Sequence, residues 1–240
     1  MKCKVFLLLI ALGSSTLFAQ STSVGVGVGI QNDIYKGADS KVVPLPIINY
    51  RNNYLYINGA EIGTFLYQNS MLSLSATVKG RFDGYDDAKG YMSGMKDRKF
   101  SVEGGLRADL KTDFGNLKTG AYYDLLGRYD GYSAELEYSY PFNYERWGFA
   151  PFVGVEYLSG DLVEYYYGVK HSEARAGRAY YAGGNTVNLN TGINAYYILN
   201  DSFTLFGRFG ATFFGDDIKK SHIVKEDYRV RGFVGISYKF

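Results

Sequence analysis

His171, Ser172 and Glu173 stand side by side, and these are the residue types that perform acyl transfer when a base takes the proton of a hydroxyl and a carboxylate orients the base. Lipid hydrolases of the bacterial outer membrane use such a set. On a strand, however, adjacent His171 and Ser172 would point to opposite faces, whereas a base must come within about 3 Å of its nucleophile. Only a loop could join them, so no catalytic residue is assigned. His222, the other histidine, falls in a segment expected to be a loop and reads as a solvated side chain. Asp86 with Asp87 and Asp216 with Asp217 offer the oxygen ligands that divalent cations prefer. As loop acids they read as solvated, and no metal site is assigned. Gly25, Gly27 and Gly29 form G-x-G-x-G, but no helix follows, so they make no nucleotide cradle and no cofactor is expected.

A different set of charges recurs at every second residue. Lys79 and Arg81 alternate with Val78 and Phe82; Glu103, Arg107, Asp109 and Lys111 alternate with Val102, Leu106, Ala108 and Leu110; Glu135 and Glu137 alternate with Leu136 and Tyr138. Arg208, Arg231 and Lys239 continue the pattern late in the chain. Period-two alternation means strands with one polar and one apolar face. Segments of about ten residues suit tilted strands that put the apolar face to lipid and the polar face to a lumen. A sandwich would hide the apolar faces in a core and expose the charges. Long alternating segments all along the chain favour the barrel. Because the lumen charges have both signs, they are expected to pair across strands, filling the interior or leaving a small, weakly selective pore.

The last strand carries the same message. Val234, Ile236, Tyr238 and the terminal Phe240 share one face, opposite Phe233, Gly235, Ser237 and Lys239. A terminal aromatic preceded by apolar residues at every second position resembles the insertion signal of outer-membrane barrels. At the other end, Lys2 and Lys4 precede an apolar run over residues 5–12 and small residues up to Ala19, which reads as a signal peptide over residues 1–19. The run is far shorter than the ~20 residues of a spanning helix. Residues 20–240 then form one barrel domain. Cleavage removes Cys3, leaving no disulfide or thiolate metal site, and removes two of 26 cationic residues against 24 acidic ones, so the mature charge is zero. Nothing points to a nucleic-acid partner. Twenty-four Tyr, 16 Phe and only 4 Pro suit many strands with aromatic girdles.

An even strand number with both termini in the periplasm places the loops. Residues 83–98, 159–186 and 214–227 fall outside, while residues 68–70, 112–115 and 142–147 and the Asn200-Asp201 turn fall inside. The count reaches twelve antiparallel strands if residues 53–67 break near Gly59; ten is the alternative. Pro44 and Pro46 are expected to start a strand, and Pro141 and Pro151 to sit near strand ends. Residues 234–240 should close the barrel against residues 24–30, whose glycines leave one face bare for close packing.

Tyr165-Tyr166-Tyr167-Gly168-Val169, followed by Glu173-Ala174, Arg178 and Tyr180, resembles the MipA/OmpV family of outer-membrane proteins. The glycine alternation at residues 24–30, Pro44-Leu45-Pro46 before Tyr50-Arg51, residues 97–105 and the closing residues 235–240 stand in family-like order. The resemblance covers essentially the whole mature chain. It implies a non-enzymatic barrel in the outer membrane, in contact with its lipid. The family's namesake is regarded as a scaffold joining a murein lytic transglycosylase to a murein synthase, and other members are connected with osmotic response and adhesion. The expectation is therefore a scaffold or envelope-organising protein, with a small-solute channel as the alternative and a lipid hydrolase as the lesser one. The tyrosines of residues 165–167 suit an interfacial girdle, while Glu173 and Arg178 suit a folded cap on the outer end.

Overall fold

Alternating side chains close this chain into a ring of antiparallel strands. The structure, a computed structural model, describes residues 21–38, 41–86 and 88–240. The expected signal peptide, Gln20 and Asp87 lie outside the described residues. The strands are β1 (Ser21–Gln31), β2 (Lys41–Arg51), β3 (Leu55–Asn58), β4 (Glu61–Gln68), β5 (Leu72–Arg81), β6 (Ser101–Thr112), β7 (Gly115–Asp124), β8 (Tyr132–Ser139), β9 (Phe142–Tyr144), β10 (Trp147–Leu158), β11 (Thr186–Ile198), β12 (Phe203–Phe213) and β13 (Tyr228–Lys239). β1 to β8 pair each with the next, β8 and β9 both pair with β10, β10 to β13 pair each with the next, and β13 pairs with β1 to close the ring. The short β9 continues β8 along the same edge of β10. The wall is thus a closed barrel of twelve strands, and the break at Gly59 that the count demands separates β3 from β4.

The expected faces are present. On β5, Ser73, Ser75 and Thr77 are buried toward the lumen while Leu74 and Val78 are exposed on the outer wall. Exposure of so many large apolar side chains, among them Val26, Leu106, Leu136, Val153 and Phe209, is the surface that lipid covers. Aromatics gather at both rims: Tyr138, Phe142, Tyr144, Trp147, Phe203 and Phe240 at the inner one, Phe82, Phe100, Tyr132 and Tyr228 at the outer one. They form the girdles that amphipathic rings make at the lipid boundary.

Two proline expectations need correction. Pro44 and Pro46 do not start β2; they are its fourth and sixth residues. Pro151 is the fifth residue of β10, well inside it. Each is tolerated because of the direction its missing N–H would take. The Pro151 carbonyl accepts from Tyr140 N–H, so the absent donor faces the gap between β8 and β9 that Pro141 creates. Pro44 and Pro46 face the edge of β2 that, among the described residues, no strand pairs with, so no ladder needs their donors.

Candidate functional site

The outer loops fold inward rather than extending into solvent. The loop over residues 159–185 contains α1 (Gly160–Tyr167) and a turn of 3-10 helix at His171–Glu173, and the last outer loop contains α2 (Asp216–Lys219). The alternation that marks the strands stops at Leu158, and the helix that follows it carries no period-two signal. Leu162, Val163, Tyr166 and Tyr167 of α1 pack with Ile34, Tyr35, Tyr85, Met92, Met95, Tyr129, Val169, Phe214, Ile218 and Ile223 into an apolar core of their own. Tyr166 and Tyr167 are therefore cap residues, not girdle residues. Their burial removes the water that a girdle tyrosine keeps at its hydroxyl; Tyr166 donates its hydroxyl to the Lys99 carbonyl at 3.3 Å instead, and Tyr35 donates its own to the Asp83 and Tyr166 carbonyls at 2.8 and 3.2 Å. Burial pushes the Tyr85 hydroxyl up to about 12.

Glu173 and Arg178 hold the cap together. The Glu173 carboxylate accepts from Arg98 Nη1 and Nη2 at 3.0 and 2.7 Å and from the backbone N–H groups of Lys96 and Lys170. Burial alone would raise this carboxyl, but those donors outweigh it and hold it at about 2. Arg178, 2% exposed, donates to the carbonyls of Glu173, Tyr91 and Ser93. Gly168 N–H caps α1 by donating to the Glu164 carbonyl, and Val169 pairs with Tyr181. Ala174 N–H donates to the His171 carbonyl, and the Tyr180 ring stacks on the His171 ring at 3.7 Å. With its carboxylate engaged by Arg98, Glu173 has no role in orienting His171. Among the described residues no three acidic, His or Cys side chains gather as metal ligands; Asp216 pairs with Lys219, and Asp217 accepts from Gly184 N–H.

Beneath the cap, ion pairs cross the lumen. Asp83, just past β5, receives Arg81 at 2.7 Å, Arg229 at 2.5 Å and Arg231 at 2.8 Å, the last two from β13 on the far wall. Burial would raise the Asp83 carboxyl, but Arg229, Arg231 and Arg81 hold it well below the usual carboxylate range. Arg81 also reaches Glu103 at 2.7 Å and Glu156 of β10 at 3.0 Å. Glu103 accepts further from Tyr129 and Ser133. Only about 50 Å³ of space remains among Arg81, Asp83, Glu156, Tyr167, Asn188 and Arg229, room for very few waters. Lower down, Lys79 pairs with Glu135 at 3.0 Å, Arg107 with Glu61 and with Asp109, and Arg208 with Glu137 at 2.6 Å and over the Phe152 ring. Lys111 and Lys239, at the inner ends of their strands, are exposed.

Lys79, Arg81, Glu103, Arg107, Asp109, Glu135, Glu137, Arg208 and Arg231 thus all enter ion pairs, but the hub that joins Arg81 to Arg231, Asp83 with Arg229, is absent from the expected set. A signal existed. Residues 79, 81 and 83 continue one polar face, and Arg229 extends the alternation of Arg231. Arg98 carries no such periodicity, and its role could not be read from the chain.

A family model described as MltA-interacting protein MipA matches residues 24–240. The chain belongs to the MipA family. It is 28% identical to the MltA-interacting protein of Escherichia coli (strain K12) over 222 residues, covering 91% of this chain and 90% of that one. It is 29% identical to the outer membrane protein Omp26La of Vibrio anguillarum over 203 residues, covering 83% and 79%. Among solved structures, an outer membrane channel from Pseudomonas putida F1 aligns over 96% of this chain and 100% of its own with a TM-score of 0.46 at 13% identity. This chain is also 29% identical over 202 residues to the outer membrane protein OmpV of Vibrio cholerae, covering 83% and 79%, and it is an outer-membrane β-barrel.

Proposed function

We propose that this MipA-family barrel is an axially closed scaffold: it organises the cell envelope, catalyses nothing and passes no solute. The observation that carries this reading is the Asp83 hub under the aromatic cap, because a stack of buried rings and crossing ion pairs occupies the end through which solute would enter. Moving a charge past such pairs means breaking them without replacement, which is expensive in a dry interior. The name of the E. coli relative, MltA-interacting protein, supports a murein lytic transglycosylase as partner; a murein synthase as second partner is part of the proposal and rests on the family resemblance alone. The inner turns are short, so the docking surface is the inner rim with its exposed Tyr54, Phe114 and Tyr144, or the segment over residues 20–23. Against a lipid hydrolase stands the engagement of Glu173 by Arg98.

Crosslinking in intact cells tests the scaffold. The account expects a murein lytic transglycosylase to be recovered with the barrel through probes at Phe114 or Tyr144. Recovering none from cells rich in that enzyme would remove the scaffold role and leave the closed barrel.

A further inference from the structure

The wall of the barrel is incomplete on one side. β3 has four residues and β4 eight, whereas a tilted spanning strand needs about ten. The hairpin between them turns at Gly59 and Ala60, with Gly59 at φ 58, the conformation a two-residue hairpin loop asks of its first residue. Below the turn, β2 pairs with β3 through Asn49, Tyr50 and Arg51. Gly59 N–H donates to the Ile48 carbonyl and Gly80 N–H to the Ala60 carbonyl, both at 3.1 Å, and these are the last rungs. Among the described residues, no strand pairs with residues 41–47 of β2 on the side away from β1. β4 follows β5 as far as Lys79, so the gap lies on the β2 side, as a window between the free edge of residues 41–47 and the end of β5. Since β2 enters from the outer rim, the window lies in the outward half of the wall.

The chemistry of its edges is specific. In an antiparallel ladder the N–H and C=O of one residue point the same way, and the direction alternates. The Ile48 carbonyl points to the β3 side, so those of Val42, Pro44 and Pro46 do too. Proline has no donor, and the free edge offers three carbonyls against a single N–H, that of Val42. An arriving strand would find no ladder to join, so the prolines keep the window from closing by strand addition. Unpaired carbonyls at membrane depth must meet water or another donor, because lipid chains offer none.

Behind the window the lumen is apolar, unlike the charged wall over β5 to β8. Val43, Leu45 and Ile47 form the inner face of β2, and Val43 is 44% exposed. The bare glycines of β1 lie beside them. A Cβ on Gly29 would stand 3.0 Å from Leu45 Cδ1 and one on Gly27 3.1 Å from Ile47 Cδ1, so both side chains lean over β1, away from the free edge. Gly29 pairs on its other side with Phe233, whose ring meets Phe206 edge-on. The lumen wall beside the window is thus lined by Val43, Leu45 and Ile47 of β2, packed over the glycines of β1, with Phe233 beyond them.

We propose that this window is a lateral port through which the acyl chain of a bilayer lipid enters the lumen, lying along Val43, Leu45 and Ile47 while its donor-bearing head meets the carbonyls of Val42, Pro44 and Pro46. The outer lipid surface runs up to the opening without a step: Val42, Ile48 and Ile62, exposed to lipid, border it. The cap closes the axial route, and the port reaches the lumen from the membrane. This reading does not depend on the scaffold.

The test uses the mature chain folded into vesicles of phosphatidylethanolamine and phosphatidylglycerol, doped with a phosphatidylethanolamine that carries a diazirine in mid-chain. After irradiation, adducts are mapped by mass spectrometry. The port predicts adducts on Val43, Leu45, Ile47 or Phe233 at yields comparable to those on lipid-facing Val42 and Ile48. Leu45→Lys should lower the lumen adducts roughly tenfold, since a chain does not lie against an unpaired charge, and leave Val42 and Ile48 unchanged. Adducts confined to lipid-facing positions in the unsubstituted barrel would overturn the port, whether or not Leu45→Lys folds.

Discussion

The Asp83 carboxylate and the Arg229 guanidinium meet at 2.5 Å inside the barrel although 146 residues separate them in the chain. Asp83 follows β5 and Arg229 opens β13, so the pair ties two walls that the sheet joins only by going around. Both side chains are nearly dry, 10% and 5% exposed. Such a pair is a mechanical link across the lumen as well as an electrostatic one.

Asp83→Ala should therefore leave Arg229 buried without its anion, while Arg81 keeps Glu103 and Glu156. Removing one partner of a buried ion pair costs about 3 to 5 kcal/mol. A fall of that size in stability is expected in a urea unfolding series followed by the gel mobility of the folded barrel. A change under 1 kcal/mol would mean that water already fills the hub.

Glu173 makes the cap sensitive to acid. Its folded carboxyl titrates at about 2, below the ordinary 4.5, so its contribution is present above the unfolded value and is lost as pH falls from about 4.5 toward 2. The protection factors of the α1 amides, taken relative to their intrinsic exchange rates at each pH, should fall over that window, while the β11 and β12 amides keep theirs. Glu173→Gln should show the lower protection already at neutral pH, with little further acid dependence.

The seam between β1 and β13 should tolerate no side chain at Gly27. A Cβ there would stand 2.7 Å from the Val234 carbonyl oxygen and 3.1 Å from Ile47 Cδ1. Forcing atoms into packed surroundings costs about 1 to 3 kcal/mol. Gly27→Val should lower the unfolding midpoint accordingly and slow closure of the barrel in refolding assays.

Phe240 is exposed at the inner rim, its ring edge-on to Tyr238 and its N–H donating to the Thr22 carbonyl. It contributes little burial to the finished barrel. We propose that its role is in insertion, and deleting it should reduce the amount assembled in cells much more than the stability of protein refolded in vitro. Normal assembly without it would contradict that role.

How much of this was legible depended on periodicity. Where residues alternate, as at Leu72 to Val78 or Tyr132 to Tyr138, one rule gives strand, face and register together. The position of Gly59 followed from strand parity, and the pairing of lumen charges followed from their mixed sign. The cap was not legible in that way. Tyr165, Tyr166 and Tyr167 look like girdle residues by type, and only their tertiary partners Tyr35, Tyr85 and Tyr129 make a core of them. The prolines misled for a related reason: a donor is superfluous wherever an edge is free, and residues 41–47 have a free edge that no local pattern announces.

The central claim is that the barrel is closed along its axis, and conductance across a planar bilayer tests it most directly. With the protein inserted and its folded mobility verified, the account predicts a baseline without unitary steps. Regular steps from the unsubstituted barrel would show an open lumen and contradict the account.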